Sequence, residues 1–245
     1  YVNPSIPYQS LGFQMAYSNH DQDSFFGIRN YNINQNSFYS SLIYNSILGS
    51  TLNKIKFGLN YSYDDFDEIV DKKNVFYNRI DKSIGGFFEY SYDSVDAVSL
   101  VAGIRYDIHN NLGSFFTPRF HLRYQPFEKS VLRLSAGTGR KSSNIFSENQ
   151  NIFTSGRQIK ISNEFGNFYG LDPEKAINYG LSFRQGFFIN NREGDITFDY
   201  YVTDFDNQIV VDWETQGELS FYNLNGKSFS KSLQIDLEYQ IIDNV

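Results

Sequence analysis

The sequence predicts an all-β fold: antiparallel transmembrane β-barrel strands, a fragment of a barrel rather than a whole one. Three observations predict it. Apolar and polar residues alternate with period two along most of the 245 residues. The alternating runs reach about 9–11 residues, the length a tilted strand needs to cross a bilayer, where soluble strands average about 5–6. The connections alternate between short and long in chain order, as barrel strands require when one rim carries tight turns and the other carries loops.

The alternation is sharpest in three places. Val98, Leu100, Ala102, Ile104 and Tyr106 share one face, opposed by Ser99, Gly103, Arg105 and Asp107. Phe120, Leu122 and Tyr124 oppose Arg119, His121, Arg123 and Gln125. Leu233, Ile235, Leu237, Tyr239 and Ile241 oppose Ser232, Gln234, Asp236, Glu238 and Gln240. A helix would scatter these apolar residues around its circumference, whereas a strand gathers them on one side.

Ten strands are expected, near 9–18, 36–47, 52–63, 79–92, 97–107, 116–125, 130–138, 174–188, 194–212 and 218–241. Short links fall near 48–51, 93–97, 126–130 and 189–194, and long ones near 19–35, 64–78, 108–116, 139–173 and 213–218. The last two strands exceed what a bilayer demands and are expected to rise above it as a ribbon. The run Ile241 to Val245 reads as the start of a turn.

Composition narrows the function. Aromatics make up 18% of the chain, with 19 Tyr and 24 Phe, and Tyr at strand ends such as Tyr61, Tyr63, Tyr90, Tyr92, Tyr106 and Tyr124 suits an interfacial girdle. Cys is absent, which removes disulfides, thiolate nucleophiles and Cys-ligated metals. A net charge of −7 argues against a nucleic-acid partner. His20, His109 and His121 lack metal-ligand spacing, and neither a serine-hydrolase elbow nor a phosphate loop occurs, so the chain is not read as an enzyme and no cofactor is expected. The acidic groups Asp64, Asp65, Asp67, Glu68 and Asp71, and His20 to Asp23, read as solvated faces rather than cation sites.

Family-like segments occur in order. Gly103 to Asp107 leads into Ser114 to Tyr124, then Leu132 to Gly137 and the loop start Arg140 to Asn149. Glu174 to Leu181, Tyr201 to Val210 and Tyr222 to Lys227 follow. Together they resemble the barrel of TonB-dependent outer-membrane receptors over about half the chain. The resemblance implies a 22-stranded barrel with a plugged lumen, located in the outer membrane of a Gram-negative bacterium. Its implied partners are membrane lipid, a plug domain of the same full-length protein, the TonB energy-coupling complex and a surface lipoprotein lid. Residues 1–245 would then be a middle-to-late portion, without the plug, the coupling motif or the aromatic-ended last strand. The implied function is binding of a scarce nutrient on extracellular loops and its passage through the plugged barrel. A passive outer-membrane channel or a small structural β-barrel is the alternative.

Two groups of site residues stand out. Arg105, Arg119, His121, Arg123, Arg133 and Arg184 lie on polar strand faces and so on a lumen wall. They are expected chiefly to pair with carboxylates such as Asp107, Asp199, Asp236 and Glu238. In the longest loop, Arg140, Asn144, Phe146, Asn149, Arg157, Phe168 and Tyr169 are candidates for ligand contact, because rings stack and amides hydrogen-bond. Trp213 is expected to pack in a girdle or between loops.

Overall fold

A computed structural model describes residues 1–70, 75–94, 97–161 and 167–241. Ten antiparallel strands form one sheet in chain order. They are β1 (Ser10–Phe26), β2 (Arg29–Leu48), β3 (Ser50–Val70), β4 (Val75–Asp93), β5 (Val98–His109), β6 (Gly113–Phe127), β7 (Ser130–Lys141), β9 (Glu174–Ile189), β10 (Arg192–Asp206) and β13 (Ser228–Tyr239). A second, three-stranded sheet joins β8 (Gln158–Ile161), β11 (Ile209–Asp212) and β12 (Glu218–Asn223). The large sheet does not close on itself among the described residues, in line with an arc of a larger barrel.

Register turns the alternation into two walls of opposite character. One ladder row runs Tyr92–Leu100–Leu122–Leu134–Leu181–Tyr200–Leu233 across seven strands. Another runs Leu11–Tyr44–Phe57–Phe88–Ile104–Pro118. These side chains are exposed or half-exposed: Phe57 is 45% exposed, Ile104 47% and Leu233 68%. A soluble sheet does not leave contiguous apolar rows of this extent in water, so lipid is the medium that matches them. The opposite wall carries Ser41, Asn60, Glu89, Asp107 and Ser182, all buried and polar.

The short-turn rim agrees with the expected links. Gly49 turns β2 into β3 at a φ of 76°, and Asn190-Asn191 turn β9 into β10 with both residues at positive φ, as a two-residue hairpin of primed type requires.

Three expectations change at the other rim. The links expected at 19–35 and 64–78 are largely paired strand. β1 and β2 stay in register up to Phe26 opposite Arg29, and β3 and β4 up to Val70 opposite Val75. The strand signal fades there because the outward residues Asn30, Asn32, Asn34, Asp65 and Asp67 are polar above the lipid. Second, the two long final strands are each broken. The chain leaves the large sheet after Asp206, with Asn207 at a φ of 57°, and returns at Ser228. Third, the ribbon expected there exists as β11 and β12, but it pairs with β8 from the longest loop in a parallel ladder. Ile242 to Val245, Val95, Asp96 and Asp71 lie outside the described residues.

Candidate functional site: the lumen wall and the cap over its mouth

The longest loop folds inward. A helical turn (Ile145–Glu148), a 3-10 turn (Gln150–Thr154), β8 and a second 3-10 turn (Asn167–Gly170) leave β7 and β9 and cross to the lumen-facing side of β2, β3 and β4. There Ile145, Phe146, Ile152, Phe153, Ile161, Tyr169 and Leu171 form one core with Tyr31, Ile33, Phe66 and Val70 of the strands and with Leu219 and Phe221 of β12. Rings dominate it. Phe153 stacks on Tyr31 at 5.5 Å and on Phe26 at 5.4 Å, and Phe146 meets Tyr169 edge-on at 5.2 Å. The result is a packed cap over the mouth of this part of the barrel.

A charged group sits inside that apolar core. Tyr31 donates its hydroxyl to Glu68 Oε1 at 2.8 Å, and Tyr169 donates to Oε2. Glu68 is 2% exposed. Burial raises its carboxyl above the ordinary value, against the lowering pull of the two phenol hydrogen bonds and of Arg79. Burial also pushes the Tyr31 and Tyr169 phenols up, with the neighbouring Glu68 charge adding to it. Arg79 lies over the Phe66 ring at 4.4 Å, pairs with Asp81 at 3.0 Å and donates to the Asn144 side chain. Glu68 therefore departs from the solvated face expected of its acidic cluster. Sequence reading missed Tyr31 and Arg79 altogether. The signal was the odd-numbered continuation of β2 through Tyr31 and Ile33, hidden among asparagines.

The seven loop candidates do not form one exposed surface. Phe146 and Tyr169 are buried in the cap core, at 0% and 4% exposure, and serve packing there. Asn144 accepts from Arg79 at the base of the cap, and Asn149 donates to the Ile145 carbonyl at 2.9 Å. Arg157 donates to the carbonyl of Trp213 and lies over its ring at 5.4 Å, fastening the loop to the β11–β12 turn. Arg140 stands apart, over the Phe115 ring at 4.8 Å. The Phe168 side chain lies outside the described residues.

The six lumen cations divide in two. Arg105 grips Asp107 with two hydrogen bonds of 2.6 Å, Arg184 grips Asp195 at 2.9 and 2.8 Å, and Arg119 reaches Glu89, which Lys56 also meets at 3.2 Å. Of these acids only Asp107 was among the expected partners. His121, Arg123 and Arg133 form no ion pair among the described residues; Arg123 donates to Gln125 at 2.6 Å.

Comparison with known proteins agrees with this architecture. A family model described as TonB dependent receptor-like, beta-barrel, matches residues 3–243. The structure is similar to the siderophore receptor PirA from Pseudomonas aeruginosa (TM-score 0.61, 16% identity), covering 94% of this chain and 45% of that one. It is similar to the hemophore receptor HasR of Serratia marcescens (TM-score 0.67, 13% identity), covering 97% and 44%. It also resembles the ferric enterobactin receptor PfeA (TM-score 0.61, 14% identity), covering 97% and 43%. At these identities the likeness is one of fold, and the chain spans less than half of each solved receptor. No curated protein matches the sequence. The two-faced ten-stranded wall and the match over nearly its whole length place the chain in the family of TonB-dependent receptor β-barrels.

Proposed function

We propose that this chain is barrel wall of an outer-membrane receptor that takes up a scarce nutrient through a plugged lumen, with the extracellular cap as the surface that meets it. The observation that carries this reading is the cap. A passive channel works through an open mouth, whereas here residues of β2, β3, β4, the longest loop and β12 fill the mouth of the arc with a common core. A mouth closed in this way suits a gated receptor. The lumen wall below it is polar, which suits passage of a polar cargo past a plug.

The cargo class is tested first with iron chelates, because the similar solved structures are described as siderophore, hemophore and ferric enterobactin receptors. The full-length gene is deleted from its host, and growth is measured with ferric siderophores, heme or cobalamin each as the limiting nutrient. The reading expects growth to fail on one class and to return with the intact gene. Undiminished growth on every class, with unchanged uptake of the labelled compounds, would reject nutrient import.

A further inference from the structure

The lipid-facing wall has a gap in one of its apolar rows. That row runs Phe13–Leu42–Leu59–Gly86–Tyr106–Phe116 across six strands, and Gly86 is its only member without a side chain. On β4 the same face continues with Ile84 on one side of the gap and Phe88 on the other. The result is a cleft of about 640 Å³ whose walls include Leu42, Phe57, Leu59, Phe88, Ile104 and Tyr106.

Glycine inside a strand weakens it, and it marks a bulge, a bend or the close approach of another group. Among the described residues of the large sheet, two strand glycines face lipid. Gly194 lies under the Phe187 ring, where a methyl group would meet ring Cε2 at 2.5 Å, so packing demands it. At Gly86 the nearest atom to such a methyl group is Leu59 Cδ2 at 3.4 Å, an ordinary contact with the tip of a flexible side chain. Pairing runs unbroken through Gly86 to Leu59 and to Tyr106, so the residue marks no bulge. The fold does not require the missing side chain, and the group that approaches comes from the medium outside.

The cleft selects its occupant by shape. Ring pairs stand on either side, Tyr44 with Phe57 at 4.9 Å and Tyr106 with Phe116 at 4.6 Å. Leu59 and Tyr106 are two strand spacings apart, roughly 10 Å between backbones. A helix of about 10–12 Å diameter does not enter between their side chains, whereas a single flexible chain does. The cleft is continuous with the apolar rows that match lipid. Tyr106 adds a polar group: its hydroxyl has no hydrogen-bond partner among the described residues, and a phenol in hydrocarbon needs one. Three residues on, at His109, β5 ends at the long-loop rim, which puts this hydroxyl at the outer interface.

From this we propose that the cleft over Gly86 holds one acyl chain of an outer-leaflet lipid. The chain lies on the glycine floor between the two ring pairs, and its ester or amide carbonyl accepts a hydrogen bond from Tyr106. The inference rests on the sheet being a membrane-barrel wall and not on what the receptor imports.

Native mass spectrometry of the full-length receptor in detergent, titrated with dipalmitoyl phosphatidylcholine, tests the site. That head group carries no net charge, so retention reports the chain. The wild type is expected to keep one lipid. Gly86→Leu supplies the missing side chain and weakens retention about tenfold or more, because attraction within lipid comes from packing. Tyr106→Phe keeps the ring pair, loses the hydroxyl and weakens retention about threefold; it reports the site even where the leucine variant does not assemble. Leu233→Phe adds bulk to the same face outside the cleft and leaves retention unchanged. A thermal midpoint of Gly86→Leu at or above the wild type shows that its wall is intact. Equal retention by wild type, Gly86→Leu and Tyr106→Phe, or a wild type that keeps no lipid, would overturn the site. A copurifying polypeptide that Gly86→Leu releases, with no lipid retained, would overturn lipid as the occupant. Thiol labelling along β13 reads the membrane wall separately, so an alternating pattern there without a retained lipid counts against the cleft alone.

Discussion

Tyr169 donates its phenol hydroxyl to the carboxylate of Glu68, a residue 101 positions earlier in the chain, inside an apolar core over the barrel mouth. That single bond links the longest loop to the β3 ribbon. Tyr31 completes the pair of donors from β2. A half-paired carboxylate in such a place is costly, which makes the network a determinant of whether the cap stays shut.

Tyr169→Phe keeps the ring contacts with Phe146 and Tyr77 and removes only the hydroxyl. Its expected cost is about 1–3 kcal/mol against the closed cap. Hydrogen exchange of the amides from Ile145 to Thr154 in the full-length receptor checks this, because local opening sets their protection. Wild-type protection in the variant would mean that the bond does not hold the cap.

The cap is expected to be pH-dependent through Glu68. Its carboxyl is raised by burial above the ordinary 4.5, so the closed cap holds the proton more tightly than an opened one. The stability this provides is fully present below pH 4.5 and is lost as pH rises through the raised value. Protection of the same amides, corrected for intrinsic exchange, therefore falls with rising pH in the wild type. Glu68→Gln removes the titrating group and flattens that slope. Parallel slopes in the two proteins would place the pH dependence elsewhere.

Phe146→Ala empties the centre of the ring cluster, where Phe146 contacts Tyr31, Tyr77, Phe153, Tyr169 and Phe221. Loss of a fully buried Phe costs about 3–5 kcal/mol. Since that core lies above the lipid, the loss is expected to be local. Limited proteolysis cuts the cap faster, while the thermal unfolding of the barrel moves little.

On the wall, Gly85 accommodates the Arg105–Asp107 pair, because a methyl group at Gly85 would stand 2.1 Å from Asp107 Oδ1. Gly85→Ala displaces that pair and costs about 1–3 kcal/mol. Gly139→Ala meets nothing within 4 Å and serves as the matched control. Thermal unfolding of the full-length protein in detergent compares the two, and equal midpoints would contradict the close packing of the lumen face.

How legible these features were depends on what surrounds each strand. Val98 to Tyr106 announce themselves because lipid lies on one side and water on the other, so the contrast between faces is steep. Tyr31, Ile33 and Phe66 belong to the same strands, yet above the lipid their outward neighbours turn polar and the alternation dissolves into what reads as loop. The rings of the longest loop posed a different problem. Phe146 and Tyr169 among amides look alike whether they are offered to a ligand or buried against Tyr31, and only the inward fold of the loop decides. Similarly, Arg119 and Arg133 are equivalent by pattern. Glu89 meets the first from β4, two strands away, and among the described residues no carboxylate pairs with the second, a difference that needs the register of four strands to see.

The account stands on lipid covering one face of the sheet, and β13 tests that most directly. Leu233, Gln234, Ile235 and Asp236 are all exposed in the isolated fold, so protein packing shields none of them. Single substitutions Leu233→Cys, Gln234→Cys, Ile235→Cys and Asp236→Cys are made in the full-length protein in its membrane and treated with a water-soluble thiol reagent. Labelling at 234 and 236 with silence at 233 and 235 is the predicted result, whereas uniform labelling of all four would contradict the membrane-spanning barrel.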